Sequence, residues 1–372
     1  MLIKSKLCLV GLVLNHQSLY KIIITNFLNR DYEVTLITRP TLVNSFREFK
    51  NAICISIYDD KNDFKILKKS IVTINKSDVI IIDEIYDRFY RGLGIRLRPK
   101  KKFLIIHNPN RWFILFYKFN LRFFDTLFFR GFFLNQFQNF ITISPNVKDY
   151  LEILSPSNCK SFFLPFDFSE KIINKVINED PIIITIPGSV NESRRNYQNI
   201  MEQIQLYYVR KSDSKIQFKL LGRLNEEQAD ILNLINKINF PVKRIWYWLD
   251  YVSDKIFEKE MLSTDYLLSN INVILVKDNR IEIYGQTKET GITYLAYKWA
   301  IPLILPYNQI AFREIETQLL RYKEPLDLIK IFESIETQDK HLLRAQSESN
   351  FKKFNILIKK EIDHLFRFIG DI

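Results

Sequence analysis

Residues 282–306 read EIYGQTKETGITYLAYKWAIPLILP. The opening, Glu282-Ile-Tyr-Gly-Gln-Thr-Lys-Glu-Thr-Gly291, is polar and turn-forming. The next letters keep helical apolar spacing to about Trp299, Pro302 stops that helix, and Leu303–Leu305 reads as a buried strand. Loop, helix and strand in that order form the returning half of a parallel-sheet unit. This reading puts Thr287, Lys288 and Glu289 at the helix start, where unpaired N–H groups and the positive dipole end suit a diphosphate and Lys288 adds a charge. A plainly capped helix with a solvated lysine fits the same letters.

Working outward, short apolar runs alternate with helical segments along the whole chain. Before the quoted stretch, strands are predicted over Ile182–Ile186, Lys215–Leu221, Lys243–Tyr247 and Tyr266–Leu268. An earlier series comprises Lys6–Val10, Glu33–Thr38, Ala52–Ile57, Val79–Ile82, Phe103–Ile106 and Phe140–Ser144, with helices over Gln17–Arg30 and Asp63–Ile74. Ser144-Pro145 reads as an N-cap followed by proline at the first helical position. The stretch Phe166–Asp180, flanked by Pro165 and Pro181, reads as the connection between domains, and Leu342–Phe368 as one or two lysine-rich closing helices.

A chain of 372 residues exceeds the size at which one core stops growing. The predicted architecture is therefore α/β with two Rossmann-like domains, 1–168 and 169–345, and a C-terminal helix over 346–372 that packs back toward the first domain. Of only nine glycines, Gly11, Gly188 and Gly222 end predicted strands. Ligand crevices open at such carboxyl ends, so two sheets facing each other would enclose a cleft. Simple tight turns explain any one of these glycines as well.

With 47% apolar and 26% charged residues the chain is an ordinary folded protein, and its net charge of +12 points to an anionic partner. Cys8, Cys54 and Cys159 stand singly without neighbouring histidines, which argues for a reducing, cytoplasmic setting and against zinc. No apolar run reaches the about 20 residues of a membrane span. Walker A and GxGxxG patterns are missing, which removes the usual signals of nucleotide hydrolysis and dinucleotide redox chemistry.

Here a resemblance becomes specific. Tyr284-Gly285-x-Thr287-Lys288-Glu289-x-Gly291, followed by a helix and a PLIxP strand, resembles the donor-binding segment of GT-B glycosyltransferases, particularly the bacterial ones that build surface polysaccharides. The loop IPGSVNESRRNY, the strand KLLGR and the segment YVSDKIFEKEMLSTDYLL are similar to other parts of that family's C-terminal domain. The resemblance implies a GT-B fold, two Rossmann-like domains with parallel sheets facing across a cleft. It implies a nucleotide-sugar donor held by Gly188, Arg194, Arg195, Tyr284, Gly285, Thr287, Lys288, Glu289, Thr290 and Gly291. It also implies a saccharide or lipid-linked acceptor on the first domain. The adjacent arginines suit phosphate through their planar forks, though a solvated helix face carries such pairs too.

Retaining GT-B enzymes of the glycogen-synthase-like kind carry two glutamates with seven residues between them. Here that spacing leads from Glu282 to Thr290, with Glu289 one place early, and one place turns a helical side chain by about 100°. The resemblance therefore implies Glu282 as a catalytic candidate but does not by itself imply the second glutamate, and inversion and retention of configuration both stay open.

Further catalytic candidates follow from position. His16 lies after the first strand as a general base or a cap, Asp83 and Glu84 end the run VIII, and His107 ends FLII. With no Asp-x-Asp sequence, neither a metal nor another cofactor is expected, and the leaving group would be met by cations and a helix dipole. Between Asn110 and Phe140 stand 13 aromatic residues with Arg111, Lys118, Arg122 and Arg130 against Asp125. With the basic stretch Arg88–Lys102, this region, 88–140, suits either a domain core or peripheral contact with the inner, anionic face of the plasma membrane. No nucleic-acid module is visible, and a nucleic-acid partner is not expected. A sugar-nucleotide epimerase and a catalytically inactive scaffold are the rival readings.

Overall fold

The computed structural model describes residues 4–85, 89–113, 131–166, 168–173, 180–190, 194–225, 228–277 and 280–370. The first sheet contains β1 (Lys6–Val10), β2 (Glu33–Thr38), β3 (Cys54–Ile57), β4 (Val79–Ile82), β5 (Lys101–Ile106), β6 (Asn139–Thr142) and β7 (Lys160–Phe163), all parallel, in the order β3-β2-β1-β4-β5-β6-β7. Its helices are α1 (Gln17–Leu28), α2 (Asp63–Ile74), α3 (Pro109–Phe113), α4 (Gly131–Leu134) and α5 (Pro145–Leu154). The run Val79–Ile82 is buried throughout, as a strand covered by helices on both faces must be.

The second sheet contains β8 (Ile182–Pro187), β9 (Ile216–Arg223), β10 (Ile245–Trp248), β11 (Tyr266–Leu268), β14 (Leu303–Pro306) and β15 (Leu319–Tyr322), parallel in the order β10-β9-β8-β11-β14-β15. A separate antiparallel ribbon pairs β12 (Ile274–Lys277) with β13 (Arg280–Ile283). The helices here are α6 (Tyr197–Arg210), α7 (Ala229–Ile238), α8 (Asp254–Leu262), α9 (Gly291–Lys298), α10 (Asp327–Thr337) and α11 (Lys340–Gly370). Strand order reverses at β1/β4 in one sheet and at β8/β11 in the other, and crevices open at such switch points.

The closing segment is one helix of 31 residues, α11. Its far end packs on the first domain, Phe366 against Phe27 of α1 at 4.6 Å between ring centroids and Phe368 against Phe162 of β7 at 5.3 Å. Nearer its start, Phe354 packs on Tyr297 at 4.6 Å, on Phe312 at 4.8 Å and on Phe163 at 6.0 Å, so one buried cluster contains residues of both sheets.

Several expectations shift. Thr287, Lys288 and Glu289 are not at the helix start, because α9 begins at Gly291 with Thr290 as its N-cap. The Thr287 N–H donates to the Ile283 carbonyl at 2.9 Å and the Gly285 N–H to the Lys288 carbonyl at 2.8 Å, which folds these residues into a tight turn ahead of the helix. Strands β7, β12, β13 and β15 were not foreseen. In the aromatic region, Trp112, Phe133, Phe137 and Phe140 are buried in the first domain's core. Arg88 and residues 114–130, including Lys118, Arg122, Asp125 and Arg130, lie outside the described residues, as do 191–193 of the IPGSVNESRRNY loop. Among the described residues no helix is long and apolar enough to cross a membrane.

Candidate active site

The switch point of the first sheet carries a buried polar cluster. The chain leaving β1 delivers His16 to the head of α1, the residue after β4 is Asp83, and the residue after β5 is His107. His16 Nδ1 lies 2.6 Å from Asp83 Oδ2 and His107 Nε2 lies 2.8 Å from Oδ1. The Tyr20 hydroxyl, one turn into α1, also donates to Oδ2, and the Glu84 N–H donates to Oδ1 at 2.6 Å. The two imidazoles stack with centroids 4.0 Å apart, and the edge of Phe166 meets His16 at 5.7 Å.

The electrostatics follow from the burial. Burial alone would raise the Asp83 pKa, but the positive charge and hydrogen bond of His107, together with the hydrogen bond from His16, hold the carboxyl well below its ordinary value. For His107 burial opposes the charged form, and the adjacent Asp83 carboxylate, with a smaller contribution from Glu84, overcomes it and raises the pKa above the ordinary 6.5. The ligand-capable atoms of His16, Asp83 and His107 all lie within 4.8 Å of one another. Ligands of a tetrahedral ion with bonds of about 2.1 Å stand roughly 3.4 Å apart. At 2.6 and 2.8 Å the nitrogens and the carboxylate instead share protons. Glu84 points elsewhere: its Oε1 accepts from Arg111 Nη1 at 3.2 Å and Trp112 Nε1 at 3.3 Å, so it anchors α3.

The switch point of the second sheet holds a cavity of about 190 Å³, lined by Gly188, Arg195, Ser269, Thr290, Gly291 and Leu295 among others. Gly188 has φ +96°, and a β-carbon there would stand 2.5 Å from Arg195 Nη2, so glycine makes room for the guanidinium. Arg195 Nη1 donates to the Pro187 carbonyl at 2.6 Å and to Asn270 Oδ1 at 3.3 Å. A β-carbon on Gly291, at the head of α9, would meet nothing within 4 Å.

Beside the cavity, Arg194 Nη2 donates to the Tyr284 hydroxyl at 2.7 Å and Lys288 Nζ to Glu282 Oε2 at 2.9 Å. Gly285, at φ +89°, lets the turn pass against the Ile310 carbonyl. Thr287 Oγ1 accepts from the Ile283 N–H at 2.8 Å. Glu289 Oε1 accepts from the Thr290 N–H at 2.8 Å and from Thr293 Oγ1 at 2.6 Å. Burial pushes the Glu289 pKa up to about 7, although these bonds and Ser144 of the facing domain pull it down. Thus Gly188, Arg195, Thr290 and Gly291 line the cavity, Arg194, Tyr284 and Lys288 stand beside it, and Thr287, Gly285 and Glu289 shape its turn.

Sequence reasoning missed Asn108, Asn270 and Gln309. Asn108 Oδ1, Asn270 Nδ2, Gln309 Nε2 and Thr290 Oγ1 are buried without a hydrogen-bond partner. They sit on the loops after β5, β11 and β14 and at the head of α9. Buried polar atoms are nearly always paired, and these four lie at the carboxyl ends of parallel strands or at a helix head, where ligand crevices open. In the sequence these residues carry no signal beyond that of loop amides.

No protein-family model and no curated protein matches the sequence. Solved structures do. The Anabaena protein HepE, in complex with UDP and glucose, matches at a TM-score of 0.66 and 10% identity, covering 99% of this chain and 100% of its own. The E. coli trehalose-6-phosphate structure bound with UDP-2-fluoro glucose matches at 0.64 and 10%, covering 99% of both chains. S. aureus MnaA in its UDP co-structure matches at 0.52 and 11%, covering 93% of this chain and 91% of its own. Two parallel sheets with facing switch points and a likeness that spans nearly the whole chain establish the GT-B fold for this protein.

Proposed function

We propose that this protein is a glycosyltransferase that moves a sugar from a nucleoside-diphosphate sugar, with UDP as the carrier, to a hydroxyl of a saccharide or lipid-linked glycan. The observation that carries the reading is the pairing across one cleft of the His16–Asp83–His107 cluster with a cavity at the head of an eight-residue helix. UDP in three of the matched structures supports the choice of carrier.

The chemistry assigns itself by charge. Two cationic rings stacked at 4.0 Å would repel, so the pair holds one positive charge, and the raised His107 takes it. His16 then donates its Nδ1–H to Asp83 and presents the Nε2 lone pair to the acceptor. In the reaction the acceptor oxygen bonds to the anomeric carbon and its proton goes to His16 Nε2. The bond from that carbon to the β-phosphate oxygen breaks, with the electron pair leaving on phosphate. The N-terminus of α9, Arg194 and Lys288 meet that charge, without a metal. The basic surface charge suits a role at the inner face of the plasma membrane in cell-surface polysaccharide synthesis.

The test is thermal unfolding with UDP, GDP, ADP, CMP and dTDP in EDTA, followed by turnover of the matching nucleotide sugar with hydroxyl acceptors. UDP should raise the melting temperature, because a ligand that binds only the folded state stabilises it. His16→Ala should keep that shift while lowering transfer by about 10²–10⁴-fold. No shift with any nucleotide would sink the reading. Conversion of the nucleotide sugar without an acceptor would replace it by the epimerase.

A further inference from the structure

The two halves of the cleft are joined by one side chain. Glu282 on β13 is buried, and its oxygens serve different domains: Oε1 accepts from Asn108 Nδ2 at 2.9 Å, Oε2 from Lys288 Nζ at 2.9 Å. Asn108 follows His107 directly, and Lys288 belongs to the turn that leads into α9. A carboxylate accepts only, which fixes the Asn108 amide with Nδ2 toward Glu282 and Oδ1 away from it, and that Oδ1 is the buried orphan. A second grip lies alongside, where Asn110 Nδ2 donates to the Ile281 carbonyl at 2.6 Å while the Tyr150 hydroxyl holds Asn110 Oδ1 at 2.7 Å. Ribbon β12–β13, which belongs to neither sheet, is thus clamped against the loop that carries His107.

We infer that Glu282 is a positioning residue that couples the donor turn to the His107 loop: through Lys288 it aims an ammonium at the diphosphate, and through Asn108 it fixes the imidazole cluster opposite. The inference rests on the proposed glycosyl transfer. A lysine has three N–H donors, so one can stay on Glu282 while the others reach phosphate. A carboxylate buried between two donors cannot lose either cheaply, so the two sides are held in one register. Misplacement of a reacting group by about 1 Å can lower a rate about 100-fold, which is the scale on which such a clamp acts.

The experiment uses the full chain with Asn108→Ala, Glu282→Gln and the double variant, measuring UDP affinity, turnover and the NMR titration midpoint of His107. Asn108→Leu, with the same number and branching of side-chain heavy atoms, replaces alanine if the latter lowers the melting temperature. Asn108→Ala should lower turnover about tenfold or more, move the His107 midpoint and leave UDP affinity within about twofold. Glu282→Gln, whose amide can satisfy one of the two donors only, should lower turnover and also weaken UDP several-fold. The double variant should turn over no more slowly than Glu282→Gln, because residues acting through one contact are not additive. Wild-type turnover in Asn108→Ala, or a double variant that falls by the product of the single effects, would overturn the coupling. If wild type itself fails to bind UDP, the donor-site reading fails instead.

Discussion

At the scale of single residues, the buried charges make signed statements about pH. The folded pKa of His107 lies above its ordinary 6.5, so its contribution to stability is complete below 6.5 and fades as pH rises through the folded value. NMR titration of the His107 ring should therefore show a midpoint above 6.5, and Asp83→Asn, which removes the carboxylate responsible, should bring it down. Glu289 behaves oppositely to a paired carboxylate. Its pKa rises from 4.5 to about 7, so the folded state loses stability as pH rises from 4.5 through 7, where only the unfolded chain ionises freely. Glu289→Gln should flatten that slope and gain up to about 3 kcal/mol at pH 8, read from urea unfolding at pH 5 and pH 8. A slope unchanged in the glutamine variant would show that another group titrates there.

At the scale of elements, the head of α9 is the part to perturb. Because nothing stands within 4 Å of a β-carbon on Gly291, Gly291→Val should leave the melting temperature within about 2 °C while filling the cavity and abolishing stabilisation by UDP. Retained stabilisation would place the nucleotide elsewhere. Much of this architecture was legible in the sequence. Strands β1, β2, β4 and β11 and helix α2 fall on their predicted bounds, because their apolar letters stand between polar or turn-forming segments that leave few alternatives. Ser144 caps α5 as expected, accepting from the Val147 N–H at 3.2 Å. What stayed hidden were pieces of mixed letters: β7 is Lys-Ser-Phe-Phe and β15 is Leu-Leu-Arg-Tyr, neither of which offers the uninterrupted apolar run that marks β4 and β11. Ribbon β12–β13 reverses the usual pattern by burying Glu282 and exposing Val276 and Ile281. The same contrast holds in the site: the positions of His16 and His107 after β1 and β5 already put both at strand ends, and the two meet at one switch point, whereas Asn108 acquires meaning only when β13 arrives from the other domain.

At the scale of the whole molecule, the two sheets share a core. Phe354 is fully buried between Tyr297, Phe312 and Phe163, and the cluster around it includes Leu9 of the first sheet and Leu303 of the second. Phe354→Ala should cost about 3–5 kcal/mol and shift one common transition, seen by calorimetry, instead of splitting it in two. Two separate transitions in the wild type would contradict a shared core. The packing of Phe366 and Phe368 from α11 onto Phe27 and Phe162 sets an order of events during synthesis. A ribosome finishes the strands of the first sheet long before it reaches residue 340, yet part of that sheet's apolar cover lies in 340–370. The nascent first domain must therefore wait with a greasy flank uncovered, and its completion is timed by translation of the last helix as much as by its own sequence.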